Sequence, residues 1–277
     1  MFVGILHKLI IALFSGFTEY FCVSAAPHLL LYEYLTGYSQ SDAVLTLMIH
    51  LGCLLAAIIS CKRRLVYLLR ADRLERITRR RKNRHLDMNA IREMKMLKTA
   101  VIPLLIGVLF YRQTASWVSG TAALALVLLL NGFIIFLPRI LPQANKDSSM
   151  MSPLDSVIMG LCGTLSVIPG VSRMAGLLTG ATARGTSQSH ALEYALLLSV
   201  PVLIVLTGFD FYCVIVSSVT VSTVQFITWI LAGAVAFGSA YLGILFMRFV
   251  AMKTGFTSFC YYSWGMAMFS FLFYLIV

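Results

Sequence analysis

Apolar residues gather into runs of bilayer-spanning length, and polar positions mark where the runs stop. Residues 43–61, interrupted only by His50, and 118–137, which carry no charge, each approach the about 20 residues a membrane-spanning helix needs. The run 99–111 contains Pro103 and reaches spanning length by continuing toward Trp117, an interface-type residue. Residues 191–209, 223–247 and 256–277 also meet the length criterion. The pattern predicts six spanning helices.

Two segments, about 3–37 and 153–189, are apolar but broken in the middle by polar and helix-interrupting residues, at Glu19 to His28 and at Pro169 to Arg173. Charge suggests how they insert. Between Lys62 and Lys98 lie fourteen Lys and Arg against Asp72, Glu75, Asp87 and Glu93, so this stretch holds ten of the chain's eleven net positive charges. The positive-inside rule makes 62–98 a cytoplasmic loop. Arg139 and Lys146 then fall inside after two spans, and Arg248 and Lys253 fall inside only if 153–189 leaves by the face it entered. The same reasoning makes 3–37 return to its own, opposite face. The expected fold is an all-α integral membrane protein of about six transmembrane helices plus two re-entrant helical hairpins in an inverted repeat. Such repeats bring their broken helices together near the midplane, because non-helical backbone is tolerated there only in protein or beside water. GFTEYFCVSAAPH at 16–28 and GLCGTLSVIPGVSR at 160–173 share a weak internal likeness, each running from Gly to a Ser.

Composition agrees with the membrane class: 59% hydrophobic and 12% charged residues, with a mean hydropathy of +0.87. At 277 residues the chain holds these helices and no separate soluble domain, so a single membrane domain, 1–277, is expected. The basic stretch admits a second reading, binding to an acidic partner or RNA, but orientation and contact with membrane lipid headgroups explain it without nucleic acid. The six cysteines are scattered through apolar segments with no CxxC, as small packing residues would be. Lys8 inside the first apolar stretch, Glu19 just beyond it and the lack of a small-residue cleavage site argue against a removable signal peptide.

The chemistry gathers at the breaks. Glu19, Ser24 and His28 lie within ten residues, where an ionised carboxylate needs solvation or a partner. Pro-Gly-Val-Ser-Arg precedes a new helix at 169–173, a layout in which Ser172 caps and free backbone N–H groups meet an anion. Arg173 adds a forked, permanently charged donor suited to phosphate. One arginine, hydroxyls, a histidine and a carboxylate in a membrane cavity suit the phosphate of a lipid. Glu19 is either a metal ligand or a base, and His28 either a nucleophile or a general acid/base.

At these residues the chain resembles the undecaprenyl-diphosphatase family, bacterial membrane enzymes also known for bacitracin resistance, from about residue 10 to its end. The family's ExxxE-F-x-P-V-S-S-T-G-H appears as SGFTEYFCVSAAPH. Its I-Q-L-G and following arginines appear as MIHLGCLLA and KRRL, and its P-G-x-S-R-S-G and E-[FY]-x-F-L-L-x-V-P as PGVSRMAG and EYALLLSVP. The resemblance implies hydrolysis of a C55 polyprenyl diphosphate to the monophosphate, serving carrier-lipid recycling for the cell envelope. It implies a site opening to the outer face of the bacterial cytoplasmic membrane, with Mg²⁺ or Ca²⁺ as a possible divalent cation. Carried over by position, Glu19, His28 and Arg173 are the candidate catalytic residues, Ser24, Ser172 and Arg173 the candidate phosphate-binding ones, and Glu19 the candidate metal ligand.

Several motif positions differ. The family's first acid is Ser15, the second serine of its pair Ala25, and the following Thr and Gly are Ala26 and Pro27; the Ser and Gly after the arginine are Met174 and Ala175, and an upstream Gln is Gly163. Each lost hydroxyl forfeits a charge-assisted hydrogen bond of about 1.5–3 kcal/mol. Three expectations therefore stand: a divergent polyprenyl-diphosphate phosphatase, a catalytically silent relative that binds or flips polyprenyl phosphate lipids, or a structural partner in an envelope complex.

Overall fold

The computed structural model describes residues 2–38, 42–78, 87–114, 117–118, 120–141, 145–147, 150–217 and 222–276. These residues are overwhelmingly helical: α1 Phe2–Glu19, α2 Ala25–Thr36, α3 Ala43–Thr78, α4 Met88–Thr114, α5 Thr121–Ile140, α6 Pro153–Thr164, α7 Arg173–Ala183, α8 Gln188–Val216, α9 Thr223–Lys253 and α10 Phe259–Ile276. No strand occurs among them beyond one isolated bridge between Lys146 and Thr186. The all-α reading holds. In a bilayer only helices and closed barrels satisfy every backbone group internally, and the described residues take the helical solution.

Among the described residues five segments are long and apolar enough to cross a membrane: Ala43–Ile77, Thr121–Ile140, Gln188–Val216, Thr223–Lys253 and Phe256–Ile276. The protein is a multi-pass membrane protein. The sixth expected span corresponds to α4, whose 27 residues would reach about 40 Å. Its apolar run 99–111 is flanked by Lys98 and Arg112.

The basic stretch 62–98 differs from the loop expected of it. Residues 79–86 lie outside the described residues, but both flanks are helical, as continuations of α3 and α4. Lys, Arg, Glu and Leu are good helix formers, and the flanks lock together through ion pairs: Arg64 Nε to Glu93 Oε1 at 3.0 Å, Lys95 to Glu75 at 2.9 Å, and Lys98 to Asp72. At 36 residues α3 spans about 54 Å, well beyond a hydrocarbon core of about 30 Å, so its charged end projects past the apolar layer.

The best-buried element is α7. Every residue from Met174 to Thr182 is buried, against α6, α5 and the first half of α8. Small residues allow this: a Cβ on Gly176 would overlap the Cys162 carbonyl, so α6 and α7 cross at backbone contact. The two broken segments are α1–α2 and α6–α7. The first break is shorter than expected, because α2 begins at Ala25 and takes Pro27 and His28 into its opening turn. The second opens with a 3-10 turn, Leu165–Val167, and reverses at Gly170, whose φ of +103° favours glycine.

Candidate active site

The two breaks meet. Residues Tyr20 to Val23 are all buried, so the carbonyls that leave the α1 ladder need partners inside the protein. They find them in the other break and in α5. The Phe21 carbonyl accepts from Ser172 Oγ at 2.7 Å and the Cys22 carbonyl accepts from Asn131 Nδ2 at 3.1 Å. Asn131 Oδ1 in turn accepts from the Ser172 backbone N–H at 2.9 Å. Asn131, fully buried, thus ties both breaks to α5, while its second Nδ2 hydrogen goes to Ser263 Oγ of α10 at 3.2 Å. Tyr20 Oη donates to the Cys53 carbonyl of α3 at 2.6 Å and fixes the first break from the opposite side.

Glu19 closes α1 and Arg173 opens α7, so joining the breaks puts them face to face. They form an ion pair through Arg173 Nη2 and Glu19 Oε1, with side chains 12% and 21% exposed. Arg173 Nε is buried without a hydrogen-bond partner among the described residues, leaving the guanidinium a donor to give. Both side chains line a cavity of about 590 Å³ bounded by α1, the breaks, α3, α4 and α8.

The sequence-expected residues divide on this cavity. Glu19, Arg173 and Ser24 line it, and so do Ser15, Ala25 and Ala26. Ser24 occupies the N-cap position of α2 without a side-chain cap bond. Ser172 reaches the wall, but its hydroxyl is engaged: it donates to Phe21 O and accepts from Ala175 N at 3.2 Å, so it caps α7 rather than facing an anion. His28 is not brought to the cavity. Its Nδ1 bonds the Ser24 carbonyl at 2.8 Å and its Nε2 meets Tyr262 Oη of α10 at 2.7 Å, in a separate apolar groove with Tyr32 and Phe269. Helical phase sets this: three residues beyond Ala25, the ring turns toward α10.

Sequence reasoning passed over the cavity's other polar pair. His50 Nδ1 of α3 bonds Asp210 Oδ2 of α8 at 2.5 Å, and both residues line the cavity. At its edge Asp42 caps α3 through Val44 N and Leu45 N, both 3.1 Å, and pairs with Lys8 at 2.5 Å. Burial would raise the Asp42 carboxyl, but hydrogen bonds from Lys8, Trp229 and Leu45 outweigh it and hold the group below the usual carboxylate range. Among the described residues no group of three or more His, Cys, Asp or Glu side chains could hold a metal ion. Glu19, Asp42 and Asp210 each face a cation or an imidazole instead. This donor set does not fit a protein-held divalent cation.

Known proteins place this architecture. The model of the family described as bacitracin resistance protein BacA matches residues 8–269. A protein of Neisseria meningitidis serogroup C named undecaprenyl-diphosphatase is 27% identical over 268 residues, covering 94% of this chain and 92% of its own. One of Halothermothrix orenii with the same name is 25% identical, covering 94% of each. Undecaprenyl-diphosphatase 1 of Shouchella clausii is 26% identical, covering 98% of this chain and 96% of its own. With the family match running over nearly the whole length, this chain belongs to the bacitracin resistance protein BacA family.

Proposed function

We propose that this protein is a membrane phosphatase that converts a polyprenyl diphosphate to its monophosphate, in the recycling of an envelope carrier lipid. The observation that carries the reading is the Glu19–Arg173 pair at the head of α7, inside a cavity formed where two broken helices meet. An arginine with an unpartnered Nε, at a helix end whose first N–H groups lack carbonyl partners within the helix, suits the terminal phosphate of a lipid diphosphate. Glu19 holds that arginine in place. The polyprenyl chain leaves the cavity among apolar helices, so head group and tail each meet matching surroundings.

The basic ends of α3 and α4 support an orientation with those ends in the cytoplasm and the cavity opening to the outer face of a bacterial cytoplasmic membrane. That the two halves share one site supports a single membrane domain over 1–277.

Phosphate release from farnesyl diphosphate by the detergent-purified protein tests the proposal. The wild type is expected to release phosphate and Arg173→Ala to lose about 10- to 100-fold in kcat/KM, the worth of charge-assisted bonds of about 1.5–3 kcal/mol. Activity equal to that of Arg173→Ala would sink it. A second reading is favoured by Ala25 and Ala26, which line the cavity where the family motif carries hydroxyls: a site that holds a lipid phosphate without cleaving it. Lipid binding that depends on Arg173 with no phosphate released by the wild type would select that reading.

A further inference from the structure

We propose that His50, oriented by Asp210, is the general base that activates water in this cavity; the proposal rests on the phosphatase reading above. Hydrolysis needs a group to take the proton of the attacking water, and the cavity offers few. Ser15, Ala25 and Ala26 cannot do it, Glu19 is committed to Arg173, and His28 lies in the separate groove. Among the described residues that line the cavity, His50 is the sole imidazole.

Its setting is that of a base. The two partners are 160 residues apart in sequence and meet between α3 and α8, with side chains 21% and 15% exposed. A carboxylate only accepts, so Nδ1 carries its hydrogen toward Asp210, and in the neutral ring Nε2 presents its lone pair. Nε2 has no partner among the described residues. His50 also sits on α3 within about one turn of the level of the first break. Cys53, whose carbonyl receives the Tyr20 hydroxyl, lies three residues from His50, on the same face of α3 and about 4.5 Å along its axis. Tyr20 adjoins Glu19, so one turn of α3 separates His50 from the level at which the first break is pinned.

The step balances without a further reactant. Nε2 takes one proton from water while the water oxygen bonds to the terminal phosphorus. The bond from that phosphorus to the bridging oxygen breaks, and its electron pair leaves on the lipid monophosphate. The proton on Nε2 then passes to product or solvent, and inorganic phosphate departs. Asp210 is a positioning residue: it fixes the tautomer and the ring plane and balances the imidazolium charge.

The test is steady-state phosphate release from farnesyl diphosphate by wild type, His50→Gln, His50→Ala and Asp210→Asn, each checked for wild-type elution and thermal midpoint. His50→Gln keeps an N–H for Asp210 but has no basic nitrogen. It is expected to lose about 10²- to 10⁴-fold in kcat with KM within about threefold. Added imidazole is expected to raise His50→Ala at least about tenfold, a rescue that a purely structural role would not give. Asp210→Asn is expected to lower kcat by a smaller factor, again at near-constant KM. If the wild type turns over and His50→Gln stays within about threefold of it, the base assignment is overturned and the phosphatase reading stands. Loss in His50→Ala without imidazole rescue overturns the assignment as well. If the wild type releases no phosphate, the phosphatase reading falls, and this proposal falls with it.

Discussion

The two helix breaks look alike in sequence and differ in construction. The second is capped and fixed: Ser172 closes α7 with its own hydroxyl and also grips the Phe21 carbonyl, and every residue from Met174 to Thr182 is buried behind it. The first is held from outside. Its carbonyls lean on Ser172 and Asn131, its hydroxyl Tyr20 leans on α3, and Ser24 at the start of α2 makes no side-chain cap bond. One break is a rigid platform that presents Arg173, while the other is a strap laid over it that delivers Glu19. A strap depends on its anchors, and this difference can be broken or sharpened by substitution.

Asn131→Ala should have the largest effect on stability. It strips the Cys22 carbonyl and the Ser172 N–H of their shared partner in a fully buried place, at about 1–3 kcal/mol for each group left unpaired. The thermal midpoint in detergent is expected to fall further than for any other substitution at the breaks. Ser172→Ala comes next, since it removes a cap worth about 0.5–2 kcal/mol together with the bond to Phe21. Ser24→Ala, at the matching position of the first break, should change stability by less than about 0.5 kcal/mol. Equal losses at Ser172 and Ser24 would erase the distinction.

The smallest expected effect is a pH dependence at Asp42, which anchors the N-terminal end of α3 beside the cavity. Its folded-state pKa is depressed, so its contribution to stability is complete above the unfolded carboxylate value near about 4 and is lost as pH falls through the folded value. The stability gap between wild type and Asp42→Asn should therefore be widest near neutrality and close progressively below about pH 4. A gap that widened on acidification would contradict the depressed pKa.

Much of this was legible in the chain. Unbroken apolar runs reveal helices because bilayer length is a strong filter, and the polar residues inside apolar stretches at Glu19 and Arg173 mark the site because a charge there demands a partner. The Pro-Gly-Val-Ser-Arg sequence announces the cap at Ser172. Other features depend on which face of a helix meets which neighbour, and no local pattern carries that. His28 reads as a site residue by its distance from Glu19, yet Tyr262, 234 positions away, takes its ring. His50 reads as a mere interruption of a span, and its meaning appears only with Asp210 across α3 and α8. Asn131 is legible in principle, because a lone amide in a run without charge is costly in lipid and asks for a buried partner. The basic stretch misleads for a simpler reason, since charge density suggests a loop while Lys, Arg, Glu and Leu are all helix formers.

That the breaks join Glu19 to Arg173 is tested most directly by a double-mutant cycle on thermal stability, with Glu19→Gln, Arg173→Gln and the two combined. Removing one member of a shielded pair leaves the other charge uncompensated, whereas removing both does not. Each single substitution is expected to lower the midpoint, and the double variant to be no less stable than the worse single one. Losses that simply add would contradict the pairing, and with it the meeting of the two breaks.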